Sequence, residues 1–257
     1  MTPLRLICFP YAGGTSSVYH GWAEHLGDGV QVVPVALPGR GRRQREAPYT
    51  EVGRLAADIT DAVVEHGLTR SYALFGHSMG ALVAYEVACA LRARGEPEPT
   101  HVFVSGSRAP HLYGDRSDHR RSDADLRRLV RDLGGLGTDA SIGTAYLEWL
   151  LPVLRADLAA CETYRWLPRP PLDCPMTAFS ATRDPIASGS EVDAWRAYTS
   201  RSLLRRHVEG DHFFLNGPSR PLLLREIRAE LTRIQRPALS PRTDTRPKLQ
   251  GVHRAEV

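Results

Sequence analysis

Residues 73–86 read ALFGHSMGALVAYE: an apolar run, a serine between two glycines, then apolar residues at helical spacing. The run SYALFG at 71–76 has the length and composition of a buried strand, and Met79–Arg94 follows a helical period that Gly95 closes. Gly76-His77-Ser78-Met79-Gly80 is a G-x-S-x-G match. So short a pattern arises by chance, but between a strand and a helix it acquires a mechanical meaning. A sharp strand-to-helix turn holds the serine in a strained backbone conformation, and a side chain at 76 or 80 would collide with the neighbouring strand or helix. An ordinary helix cap would account for Ser78 but for neither glycine. Ser78 is therefore the candidate nucleophile, at the carboxyl edge of a sheet, where a helix N-terminus favours developing negative charge.

Outward from this turn, apolar β-like runs alternate with helical patterns, which predicts an α/β protein with a mostly parallel central sheet flanked by helices. Strands are predicted at Leu4–Phe9, 30–37 (VQVVPVAL), 71–76, 101–106 (HVFVSG), 176–181 (MTAFSA) and 202–210. Helices are predicted over 51–67, with Val52, Leu55, Ile59 and Val63 on one stripe, at Met79–Arg94, at Val192–Tyr198, and at the end with Leu223, Ile227, Leu231 and Ile234. The rhythm breaks after 106. SDADLRRLVRDLGGLG predicts a short amphipathic helix ended by a glycine-rich hinge. AYLEWLLPVLRADLAACETYRW predicts a longer helical stretch, interrupted or started at Pro152. About 110–150 thus reads as a helical insertion between sheet elements. One domain is expected over 1–235, with a disordered tail over 236–257, where apolar periodicity ends.

A serine nucleophile needs a base, and the base needs an orienting carboxylate. On a nucleophile elbow these follow in the order Ser, Asp/Glu, His, each after a strand. His20, His25 and His66 precede the serine, and His77 lies within the elbow, its ring expected to point off the nucleophile's face. His101 and His207 fall in strands, His111 and His119 in the insertion, and His253 in the tail, which leaves His212 just past the last strand. For the acid, VSGSRAPH after the 101–106 strand offers no carboxylate, whereas SATRDP offers Asp184. Asp211 adjoins His212, and neighbouring side chains rarely face each other; Asp173 precedes its strand, at the wrong edge. The expected oxyanion donors are the backbone N–H of Met79 and, from FPYAGGTS at 9–16, that of Ala12.

Composition narrows the remaining classes. Cys8, Cys89, Cys161 and Cys174 are far apart with no C-x-x-C pair, so packing is expected rather than zinc or a disulfide frame. No apolar run approaches ~18 residues, so no membrane span is expected, and the first residues read as a strand rather than a secretory signal, which fits a reducing cytoplasm. Net charge is +4, and every one of the 33 basic residues except Lys248 is arginine. GC-rich codon usage accounts for most of that bias, and no nucleic-acid-binding motif accompanies it.

Taken together, CFPYAGGTSSVYHGW, VALPGRGRR, LFGHSMGALVAYEVA, LPVLRADLAACETYR, SATRDP, DAWRAYT and EGDHFFL span 8–215. In these stretches, and in their order, the chain resembles the stand-alone type II thioesterases that accompany polyketide and nonribosomal peptide synthases. It departs where Asp211 replaces the family's usual glycine before the histidine, and where SATR replaces a glycine–acidic pair before the aspartate. The resemblance implies an α/β-hydrolase core, a helical lid over about 110–150, and no metal or redox cofactor. It also implies hydrolysis of aberrant or short acyl thioesters from the phosphopantetheine arm of acyl or peptidyl carrier proteins. A chain-releasing thioesterase, a medium-chain fatty acyl thioesterase, a broad carboxylesterase and a catalytically inactive carrier-binding module remain alternatives. Acidic carriers would give a purpose to Arg40, Arg42, Arg43 and Arg45 in PGRGRRQR, some of which are expected to meet a carrier or its phosphate, the alternative being a plain solvated loop.

Overall fold

The computed structural model describes residues 3–133 and 144–235, the side chains of 144–147 excepted. The expected glycine run at 134–137 and the expected tail, with His253, lie outside the described residues. Six strands, β1 (Leu4–Phe9), β2 (Val30–Pro34), β3 (Tyr72–His77), β4 (Val102–Ser105), β5 (Met176–Ala181) and β6 (Leu203–Val208), form one sheet. Their order is β2-β1-β3-β4-β5-β6 and every neighbouring pair is parallel. The helices are α1 (Trp22–Leu26), α2 (Val52–Glu65), α3 (Met79–Ala93), α4 (Asp123–Asp132), α5 (Thr144–Glu162), α6 (Gly189–Asp193) and α7 (Arg220–Gln235).

The strands read as continuous apolar runs because both faces of the sheet are covered. Along β1, Ile7 and Phe9 pack with Leu55 and Ile59 of α2 and Leu82 of α3, while Leu4, Leu6 and Cys8 pack with Trp22 of α1 and Ile227 of α7. The same alternation places Leu74 and Val104 on the first face, and Phe75 and Phe103 on the second. Helices α2 and α3 end as their glycines predict. At Gly67 (φ 60°) and Gly95 (φ 77°) the chain turns left-handed, and Leu68 and Glu96 N–H donate back to Val63 and Leu91 carbonyls at 3.0 and 3.1 Å.

Three elements differ from the sequence reading by more than two residues or in kind. Strand β2 stops at Pro34, which an edge strand tolerates. The helix expected at 192–198 is α6 followed by a 3₁₀ turn, Ala194–Tyr198, and α6 starts on a Ser188/Glu191 capping box. Helix α5 neither starts nor breaks at Pro152, and it carries helix past the expected end of the insertion to Glu162. Pro152 and Glu148, whose carbonyl would have accepted the missing hydrogen bond, are both exposed, so the lost bond falls on the solvent side of the helix.

The topology creates one crevice. From β1 the chain moves outward to β2, then crosses to β3 on the other side of β1. The loops after β1 and β3 therefore diverge at their carboxyl ends, where parallel sheets bind ligands. All four cysteines are free and buried, and burial pushes each thiol's pKa up. No described helix is long and apolar enough to cross a membrane.

His101, just before β4, is buried with Nε2 2.8 Å from the Thr177 hydroxyl and Nδ1 without a partner. Burial pulls its pKa down to about 3. An unfolded histidine titrates near ~6.5, so below that pH the unfolded chain holds one proton more. Stability then falls with falling pH, by up to about 1.4 kcal/mol per pH unit for this group. Thermal melting from pH 7 to pH 4 is expected to show a shallower decline for His101→Gln than for the natural chain; parallel declines would contradict it.

Candidate active site

Ser78 has φ 55° and ψ −122°, and it is the one described residue other than glycine with positive φ. Its hydroxyl makes no capping hydrogen bond, so the plain-cap reading has no geometric basis. The turn is held by backbone. Ser78 N–H donates to Ser105 O at 2.8 Å, and Ala81 N–H donates to Ser78 O at 3.0 Å. A β-carbon at 76 would lie 2.2 Å from the Gly80 carbonyl oxygen, and one at 80 would lie 2.1 Å from that of Phe9 in β1. The glycines are therefore required by the helix on one side and the adjoining strand on the other.

Asp184 and His212 come from the loops after β5 and β6. Thr182 and Arg183 N–H donate to Val208 and Gly210 carbonyls at 3.0 and 2.9 Å, which ties the loops together. Asp184 Oδ1 accepts from Ile186 and Ala187 N–H at 2.9 and 3.1 Å, leaving Oδ2 to face His212 Nδ1 at 2.8 Å. Both side chains are sealed from solvent, at 0% and 2% exposure. A carboxylate only accepts, so the proton sits on Nδ1 and Nε2 is the basic nitrogen. Asp211 instead takes the Phe213 N–H on Oδ1 at 2.9 Å, a local turn that answers its departure from the family pattern. His77 is fully buried beside His212, its ring centre 5.0 Å from that of His212 and its Nδ1 2.9 Å from Ser105 Oγ. Burial, then the neighbouring His212, hold its pKa well below the usual histidine value, so it stays neutral there.

Ser78 and His212 line one cavity, and Ser78 also lines an adjoining, smaller one. Helices α4 and α5 cover both: Leu129, Leu133 and Leu158 reach each, and Leu150 and Leu154 the larger. The smaller has a polar end with Arg108, Arg116 and Asp118. Ala12 lies in both walls. Within its turn, Gly14 N–H is committed to Tyr11 O at 2.8 Å and Gly13 N–H to Asp157 Oδ2 at 2.7 Å. Met79 opens α3, where an N–H has no partner inside the helix.

The arginine loop behaves differently from expectation. Arg40 is 3% exposed and chelates Asp157 of α5, which removes it from any carrier-facing surface, while Arg43 is half-buried and pairs with Glu46 and Asp58. Arg42 and Arg45 are exposed. Sequence reading missed Asp157; its one signal is an acid amid the apolar positions of LPVLRADLAA.

A six-stranded parallel sheet with a serine on a strand–helix elbow, then an aspartate and a histidine after later strands, is an α/β-hydrolase. A model of the thioesterase domain matches residues 4–231, and the chain belongs to that family. It is 65% identical to the RedJ thioesterase of the prodiginine pathway in Streptomyces coelicolor, with TM-score 0.87 over 89% of this chain and 91% of that one. It is 33% identical to the type II thioesterase BorB of the borrelidin cluster, with TM-score 0.82 over 90% and 93%. Thioesterase PikA5 of Streptomyces venezuelae is 38% identical over 83% of this chain and 76% of its own length.

The elbow's packing can be tested directly. Gly80→Ala forces a methyl into the Phe9 carbonyl and is expected to cost about 3 kcal/mol or more of unfolding free energy. Denaturant titration showing natural stability would contradict the geometry.

Proposed function

We propose that the protein is an editing thioesterase that hydrolyses short or aberrant acyl groups from the phosphopantetheine arm of carrier proteins, with Ser78, His212 and Asp184 as its triad. The observation that carries this reading is the sealed Asp184–His212 pair, whose histidine shares an apolar, helix-roofed cavity with Ser78. Ser78 Oγ attacks the thioester carbonyl while His212 Nε2 takes its proton. The carbonyl oxygen gathers negative charge against the Met79 and Ala12 N–H groups. The tetrahedral intermediate then collapses, the C–S bond breaks, and the imidazolium returns its proton to the departing thiol. Water repeats the sequence on the acyl-serine, and the acid leaves. Asp184 holds the Nδ1–H tautomer and stabilises the imidazolium throughout. Side chains, backbone and water suffice for these steps, so no metal or redox cofactor is invoked.

For the substrate, the leucines of α4 and α5 offer an apolar wall to an acyl chain, and these helices serve as the lid. The editing role is supported by relatives named as type II thioesterases of biosynthetic clusters, BorB among them. Acyl or peptidyl carrier proteins of a synthase are the proposed partners, in the cytoplasm, where the free thiols would stay reduced.

Ser78→Ala is expected to stay folded yet form no acyl-enzyme with a thioester substrate, as read by intact-protein mass spectrometry. Asp184→Asn should slow hydrolysis on the order of 10⁴-fold, through the wrong histidine tautomer. A near-natural rate would remove Asp184 from the triad. Offered a panel of acyl groups on carrier, the enzyme should clear short units faster than full-length chains; the reverse order would mark a chain-releasing enzyme.

A further inference from the structure

We propose that Asp157 is a positioning residue for the oxyanion loop, held in place by Arg40, and that it makes this loop and helix α5 one rigid unit. The proposal rests on the thioesterase reading above. Asp157 is 1% exposed and Arg40 3%. The guanidinium donates to Asp157 Oδ2 and Oδ1 at 2.5 and 2.7 Å, and Gly13 N–H donates to the same Oδ2 at 2.7 Å. The remaining arginine donors reach the loops on either side, Nε to Pro38 O at 3.2 Å and Nη1 to Gly14 O at 3.4 Å. One buried carboxylate thus joins three segments: the turn after β1, the loop after β2, and α5.

Stability alone does not call for such a pair. Removing two charges from water costs several kcal/mol per ion, and apolar residues of similar size often fill such a site equally well. What the pair supplies is direction. With Gly13 N–H drawn toward α5 and Gly14 N–H closed onto Tyr11, the peptide planes of the turn are fixed, and Ala12 keeps its place in the wall beside Ser78. The contact with α5 is also steric. Gly13 sits at φ 76°, and a β-carbon there would lie 2.8 Å from Leu150 Cδ1 and 3.6 Å from Leu154 Cδ1. Leu150, Leu154 and Asp157 are spaced i, i+4, i+7, so one helix face carries two apolar contacts and the polar anchor. The leucines on that face also line the substrate cavity. Whatever displaces α5 therefore displaces the oxyanion donor with it.

The test compares two neutral pairs with a soluble acyl thioester. Arg40→Met with Asp157→Leu fills the site but offers Gly13 N–H no acceptor; Arg40→Met with Asp157→Asn restores an acceptor oxygen. The leucine pair is expected to lose on the order of 10² in kcat with KM changed less than about threefold, as a displaced oxyanion donor would. The asparagine pair should recover to within about tenfold of the natural enzyme, and affinity for a tetrahedral boronic acid adduct should follow kcat across the three proteins. If the leucine pair does not fold, Asp157→Ala with Arg40→Met takes its place. Equal kcat for the acceptor-free and acceptor-restored pairs would overturn the proposal. Ser78→Ala in the same assay separates the two ideas: retained turnover there rejects the thioesterase mechanism itself, whereas loss there beside equal pairs rejects only the positioning role.

Discussion

The Phe9 carbonyl oxygen occupies the place where residue 80 would carry a β-carbon, and the Gly80 carbonyl occupies the corresponding place at residue 76. This interlock of β1, the elbow and the start of α3 is what the site depends on. It forces Ser78 into a conformation that costs of order ~1–3 kcal/mol, and the completely buried strand β3 absorbs that cost. The distance between Ser78 and the turn at 11–14 is set in the same way. Ser78 follows β3, the turn at 11–14 follows β1, and Gly76 pairs with Phe9 across the two strands. Backbone contact fixes their separation, with no side chain needed as a spacer.

The other half of the site is assembled by sheet order. Strands β5 and β6 are neighbours, and hydrogen bonds between their loops bring Asp184 and His212 together although 28 residues separate them. Asp184 is itself immobilised by two backbone N–H groups, so His212 is oriented by a carboxylate that is already oriented. The neutral His77 fills the space beside His212 without adding a charge there.

Much of this was legible in the sequence because it is local. Strand β1 and strand β5 coincide with their apolar runs, and Gly67 and Gly95 mark helix ends through their own backbone preference. Asp184 and His212 could be chosen because each stands immediately after a strand. What was not legible is what depends on distant partners. Arg40 and Asp157 lie 117 residues apart, and nothing near either predicts the pairing. Arg40 therefore reads as one more solvent-facing arginine until α5 is seen to cover it. Pro152 misleads for a related reason: whether a proline breaks a helix depends on whether its exposed face meets water, which spacing does not reveal.

Transfer of an acyl group from one sulfur to another is close to balanced in energy, so any accessible thiolate near a bound thioester would compete with the serine. Cys161 lies in the wall of a cavity that Ser78 also lines, yet burial keeps its sulfur protonated. The same holds for Cys8, Cys89 and Cys174 deeper in the core. By keeping its four thiols protonated, the molecule withdraws sulfur as a rival to the hydroxyl of Ser78, although one of those sulfurs stands in the cavity wall.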